Sequence, residues 1–277
     1  SHDLKTSSYL AASDSEIFVP VGQYGLTYRS RDNGASWDNE TCQIITQLNG
    51  VTYGSNTFVA VGASGRIVTS TNNGSSWSSS SSGSNQLYAI AFGNSTFVAV
   101  GASGRISKSS NSGSSWSSST SPYRYRDLYG VAYGNSTFVA VGYRKIIRST
   151  NSGSSWSNIC YGNYSCFGSN YLHGVAFGNS TFVAVGNNGR VLTSSDSGSN
   201  WTIRTSGVSN YLYGIAYGNS TFVAVGAGGR IIRSTDNGAS WSTVSSGVSV
   251  ALRGVAYGNS TFVVVGASGT TLRSTDS

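Results

Sequence analysis

Arginine is the residue with the most scope for chemistry in this chain. The net charge of +7 rests mainly on it, since the only lysines are Lys5, Lys108 and Lys145. Four arginines follow a glycine at equivalent places in a repeated sequence: Gly65-Arg66, Gly104-Arg105, Gly189-Arg190 and Gly229-Arg230. Tyr143-Arg144-Lys145 and Gly269-Thr270 occupy the matching places elsewhere. A guanidinium is a planar fork of donors, suited to carboxylates and sulfates as well as hydroxyls. The repeated arginines therefore read as candidate ligand contacts. The alternative is that each covers its own strand and stays solvated. Tyr88, Tyr129 and Tyr213 open equivalent segments, with Arg253 in the matching place of the last repeat. Their rings suit stacking on sugar faces or plain packing. The connection Ser121-Pro122-Tyr123-Arg124-Tyr125-Arg126-Asp127 is aromatic and basic, and residues 157–171 form another long connection. Individual loops of this kind are where specificity resides.

Catalytic sets are hard to assemble from what remains. The only glutamates are Glu16 and Glu40, and Asp127 is the one acid expected near the arginine loops. A pair of glycosidase carboxylates is therefore not expected. With His173 the only histidine beyond His2, neither a Ser/His/Asp triad nor a metal site is expected. The reading is a non-enzyme without a cofactor. Cys160 and Cys166 bracket a short loop, where a local disulfide would suit a secreted protein; Cys42 is left odd. The arginines are dispersed rather than striped, against a nucleic-acid partner. No apolar stretch is long enough to cross a bilayer as a helix, and the chain reads as a mature or trimmed form.

The elements that must carry these residues follow from a repeat. GNSTFVAVG or a relative recurs about every 40 residues, with its phenylalanine at Phe18, Phe58, Phe97, Phe138, Phe182, Phe222 and Phe262. Within 212–244 the pattern predicts four short strands: LYGIAYG, the doubly buried TFVAVG, RIIRS, and a last strand beginning near Trp241. Such a unit is apolar on both faces and must pack against copies of itself. Seven copies closing into a ring predict one domain over 1–277, an all-β seven-bladed β-propeller of four-stranded antiparallel blades. Residues 2–6 resemble an outer strand and are expected to complete the last blade.

The turns before the tryptophans read SRDNGASW, STNNGSSW, SSNSGSSW, STNSGSSW, SSDSGSNW and STDNGASW. The carboxylate or amide is Asp32, Asn72, Asn111, Asn151, Asp196 or Asp236, and the tryptophan Trp37, Trp77, Trp116, Trp156, Trp201 or Trp241. This pattern resembles the Asp-box of the sialidase-like (BNR) and Ycf48-like repeat propellers. An Asp or Asn acceptor is expected to bond backbone amides about two residues on. Asparagine keeps that acceptor without charge, which suits a structural turn. The resemblance implies a fold. A sialidase's arginine cluster, Tyr–Glu nucleophile and acidic donor are not matched.

Sequons begin at Asn39, Asn73, Asn94, Asn135, Asn163, Asn179, Asn200, Asn219 and Asn259. They are glycosylation candidates or simple turn chemistry. The sequence thus points to a secreted, multivalent, non-catalytic binding module, lectin-like and taking glycans or a repetitive extracellular surface. The alternatives are a scaffolding, adhesion or filament protein with protein partners or self-association, and more weakly a sialidase-like hydrolase.

Overall fold

The computed structural model describes residues 7–13, 17–25, 27–40, 46–119, 121–122, 125–159 and 171–274. It is an all-β seven-bladed propeller. Six sheets are four-stranded and antiparallel in simple sequential order, and the seventh shows three strands among the described residues.

Each blade is built from the repeat as follows. The inner strands are Ser7–Ala12, Leu48–Gly54, Leu87–Gly93, Leu128–Gly134, Leu172–Gly178, Leu212–Gly218 and Leu252–Gly258. The second strands carry the FVAVG motif, from Phe18–Gly22 in blade one to Thr261–Gly266 in blade seven. All their residues are buried, as expected for a strand covered on both faces. The third strands start just after the arginine loops, and the outer strands just after the tryptophans.

Blades wedge together through an aromatic and a glycine. In blade four, Tyr133 lies 4.7 Å from Phe138, centroid to centroid, and the same inner-strand ring recurs against its own phenylalanine in blades two, three, five, six and seven. Each such ring from blade three onward lies in the space left by the glycine ending the preceding inner strand. A Cβ on Gly93 would sit 2.0 Å from Tyr133 Cγ, and one on Gly134 2.0 Å from Phe177 Cγ. Blade one has Ala12 at the ring position, so Phe18 reaches toward Gly258 instead.

The seam between blades seven and one is packed directly. Leu10 and Phe18 share a buried cluster with Ala256, Val263 and Val265. Asn259 Nδ2 donates to Asn33 Oδ1 at 2.9 Å across it. Residues 2–6 lie outside the described residues. Beside the third strand of blade seven, Thr271–Ser274, runs a groove of about 380 Å³ walled by Val223, Ile231, Phe262 and Leu272.

The Asp-box works as a small hydrogen-bonded frame. Ser109 Oγ donates to Asn111 Oδ1 at 2.8 Å and accepts the Gly113 amide at 3.0 Å. Asn111 Oδ1 also accepts the amide of Ser115. Acceptance runs four residues on, not two, because residues Ser112 and Gly113 are both left-handed and fold the chain back over the side chain. Asp32 and Asp236 make the same bonds to Ser36 and Ser240, so carboxylate and amide are interchangeable as acceptors. Trp116 Nε1 closes the frame on the Gly113 carbonyl at 3.0 Å. The frame also joins blades. Cβ atoms on Gly113 and Gly153 would meet Val59 and Val98 of the preceding blade.

Candidate functional site: the channel mouth

Two families of turns define two faces. The turns between first and second strands, such as Asn94-Ser95, have φ above zero at both central residues, as a two-residue hairpin turn requires. They touch the Asp-box of the next blade: Asn94 Nδ2 donates to Ser152 Oγ at 2.7 Å and Asn179 Nδ2 to Asn237 Oδ1 at 2.8 Å. Asn135 Nδ2 likewise reaches Ser197. The nitrogen of these sequons that would carry a glycan is thus engaged in a blade-to-blade bond. Asn200 Nδ2 is bonded to Asp196 within its own box. Asn163 lies outside the described residues, as do Cys42, the expected Cys160–Cys166 disulfide and the side chain of Asn39.

The opposite face holds the arginine loops and the blade-to-blade connections. There Ser103 N donates to Asp127 Oδ1 at 2.9 Å, and Gly189 N to the Asn210 carbonyl at 2.8 Å. Two loop arginines are committed to the fold: Arg66 Nη1 donates to Ser79 Oγ at 2.7 Å, and Arg105 bonds Ser107 Oγ and the Ser82 carbonyl. Arg66 reaches the outer strand of its own blade, and Arg105 reaches the connection that follows the outer strand of blade two. Arg190 and Arg230, equally half-buried, hold the same loop position in blades five and six. Tyr123 and Arg124 lie outside the described residues.

What gathers at the centre comes from a different backbone device. In each inner strand the register shifts after the first residue: Leu128 pairs with Gly142 and Gly130 with Val141, leaving Tyr129 without a partner. The same bulge leaves out Ser8, Asn49, Tyr88, His173, Tyr213 and Arg253. A bulge bends the strand and re-aims the extra residue. Here five of these side chains, Tyr88, Tyr129, His173, Tyr213 and Arg253, enclose a cavity of about 180 Å³ at the channel mouth. Asn49 instead donates to the Leu87 carbonyl at 2.8 Å and is buried. Glycine after the bulge permits the close approach: a Cβ on Gly130 or Gly174 would stand 2.9 or 3.0 Å from the bulge carbonyl of the next blade.

The rings form a continuous arc. Tyr88 and Tyr129 are 5.3 Å apart, Tyr129 and His173 5.7 Å, and His173 meets Tyr213 edge-on at 5.6 Å. Arg253 Cζ stands 5.5 Å from the Tyr213 centroid, a cation–π contact. Tyr171, from the position before the inner strand, stacks on His173 at 6.2 Å and lies 4.6 Å from Tyr143. Arg126 and Arg144 both pack on Tyr143, at 5.0 and 5.4 Å. The arginine loop of blade four is one residue shorter than its counterparts, and Arg144 takes φ 58° at its tip. A bulky side chain in that region is uncommon and marks a constrained display.

Asp127 is tied into this arc. Its Oδ2 accepts the Tyr129 hydroxyl at 3.3 Å, and its Oδ1 the Ser103 amide. Burial, and then the Asp127 charge and hydrogen bond, push both the Tyr88 and Tyr129 phenols up, so they remain protonated donors. Burial pushes the His173 imidazole down, against the bond from its Nε2 to Asn187 Oδ1 at 2.6 Å. His173 is therefore not isolated; it is blade five's member of the mouth. Comparing LHGVAFG with LYGVAYG gives that equivalence directly. Asp127 has no second carboxylate beside it, and no cluster of three metal-ligating side chains occurs among the described residues.

Comparison with known proteins agrees on the architecture. No family model matches the chain, and no curated protein sequence does. Among solved structures, a YCF48 bound to D1 peptide aligns with TM-score 0.79 at 19% identity, over 100% of this chain and 93% of that one. YCF48 from Cyanidioschyzon merolae aligns with TM-score 0.72 at 17% identity, over 97% of this chain and 95% of that one. The WD40 β-propeller domain of Doa1 gives TM-score 0.74 at 14% identity, over 99% and 93%. What this chain shares with them is the propeller fold.

Proposed function

We propose that this protein is a non-catalytic binding module that docks an acidic protein segment across the mouth face. The observation that carries the reading is where the described acids lie: all but Asp127 are in or just after the boxes, while cations occur on both faces. Asp32, Asp196 and Asp236 belong to boxes on the far face, and Asp38 follows a box directly. On the mouth face Asp127 has both oxygens bonded, while Arg253 lines the opening and Arg126 and Arg144 pack on Tyr143, which joins the arc through Tyr171. Exposed tyrosines share that face: Tyr24 at 73% and Tyr125 at 85% exposure stand with Tyr171 and Tyr211 around the rim. Tyrosine with arginine is the composition of interface anchors. The mouth cavity, about 180 Å³, is below the roughly 300–1,000 Å³ of usual ligand pockets and has room for no more than about one ring, so a larger partner would lie on the surface. The D1 peptide named with the YCF48 neighbour supports the same choice.

A lectin-like, secreted module for acidic glycans is the second reading, favoured by the arc of rings able to stack on a sugar. Labelled poly-glutamate and polygalacturonate, titrated by fluorescence anisotropy at low and high salt, test both. Salt-sensitive binding of poly-glutamate in preference to the uronate is expected. Preference for the uronate would move the conclusion to the second reading, and binding of neither would refute both.

A further inference from the structure

We propose that the channel mouth is a separate small-molecule site for a monocarboxylate carried on an aromatic or apolar body. This goes beyond the docking of a macromolecule on the rim. The cavity is about 180 Å³, some six water volumes, the size of one substituted ring. Its wall is Tyr88, Tyr129, His173 and Tyr213, and its one cation is Arg253.

The charge inside the cavity decides the sign of the ligand. None of the described carboxylates lines it, because Asp127 stands behind Tyr88 and Tyr129 and spends its oxygens on Ser103 and Tyr129. Among the described residues, Arg253 makes no hydrogen bond; its guanidinium packs over Tyr213. A guanidinium held by its face keeps its in-plane donors available, and their fork matches a carboxylate. One cation suits one negative charge, whereas a phosphate dianion would be left half-compensated.

The body of the ligand is set by what lies beneath. Below the rings the channel is lined by Leu10, Val51, Ile90, Val131, Val175 and Ile215. Apolar atoms placed there leave water at no polar cost, while hydroxyls would lose hydrogen bonds. A fork level with the rings and an aliphatic lining below them therefore select an amphipathic acid over a free sugar.

Phenylacetate is the probe, with phenylacetamide as its neutral match, titrated against the full chain by NMR. Saturable binding of phenylacetate in the millimolar range is expected, as for a fragment of about ten non-hydrogen atoms. The amide should bind at least tenfold more weakly. Arg253→Gln should lower phenylacetate affinity at least tenfold and erase the difference between acid and amide. Arg253→Lys, which keeps the charge but loses the fork, should fall between. Arg253 is exposed, so unchanged thermal melting is expected for both variants. Equal affinity for acid and amide, or unaltered binding by Arg253→Gln, overturns the proposal. Phenylacetate binding in a protein that takes neither polyanion would leave this site standing and remove the docking reading.

Discussion

Gly134→Ala tests how the blades are held together. Gly134 ends the inner strand of blade four, and its φ is not in the left-handed region, so alanine meets no backbone penalty. The obstacle is steric. A Cβ there would lie 2.0, 2.1 and 2.5 Å from Phe177 Cγ, Cδ1 and Cδ2. Ordinary contact begins near 3.4 Å, so the ring must retreat by over an ångström. It has little room, since Phe177 packs 4.6 Å from Phe182 and against the buried cluster around Val139 and Val175. Overpacking of this kind costs about 1–3 kcal/mol. With an unfolding entropy of about 2.1 cal/mol/K per residue, 277 residues give about 0.6 kcal/mol/K, hence a fall in Tm of about 2–5 °C. Calorimetry measures it directly. The same substitution in a Phe177→Ala background should cost less, because the obstructing Cγ and Cδ atoms are gone. An unchanged Tm, or an equal cost in both backgrounds, would refute the wedge.

Three further outcomes follow from the frame and the ring. Hydrogen bonds from Ser240 and Ser234 hold the Asp236 carboxyl down to about 2, and Asp32 and Asp196 are lowered too. Their contribution is complete above an unfolded pKa of about 3.9 and lost as pH falls toward 2. Hydrogen exchange at pH 5 and pH 1.5 should show loss of protection at Ser36, Asn200 and Ser240 but not at Ser76, Ser115 and Ser155, whose boxes carry Asn; uniform loss would contradict it. Ser109→Ala leaves the buried Gly113 amide without its acceptor and should cost about 1–3 kcal/mol by urea denaturation at constant m. Deleting residues 1–6 should lower Tm if they complete the last blade, and an unchanged Tm removes that reading of ring closure.

The ring was legible because one pattern is repeated with little variation. TFVAVG announces a strand covered on both faces, and its seven-fold period leaves few architectures. The frame was half legible: Ser, Asp or Asn, Gly and Trp identify a turn, but only the paired left-handed residues set the reach at four residues. The site was read less well. Sequence gives the position of Arg66 and Arg105 but not their direction: Arg66 turns to a serine of its own outer strand and Arg105 to a carbonyl of the connection from blade two. The bulge that throws Tyr88, Tyr129, His173 and Tyr213 into one arc leaves no mark in composition. His173 stands alone as a histidine in its region of the sequence, and its meaning lies in substituting for a tyrosine at the mouth. The shorter loop of blade four, visible as YRK against ASGR, signalled the unusual Arg144.

The central claim is that the mouth face, and not the box face, engages an acidic partner. Poly-glutamate affinity of the Arg126→Gln/Arg144→Gln/Arg253→Gln protein, set beside Arg31→Gln/Arg273→Gln away from the mouth, tests it most directly. The account predicts a loss of at least tenfold for the first and less than twofold for the second. Equal losses would show attraction to net charge alone and contradict the claim.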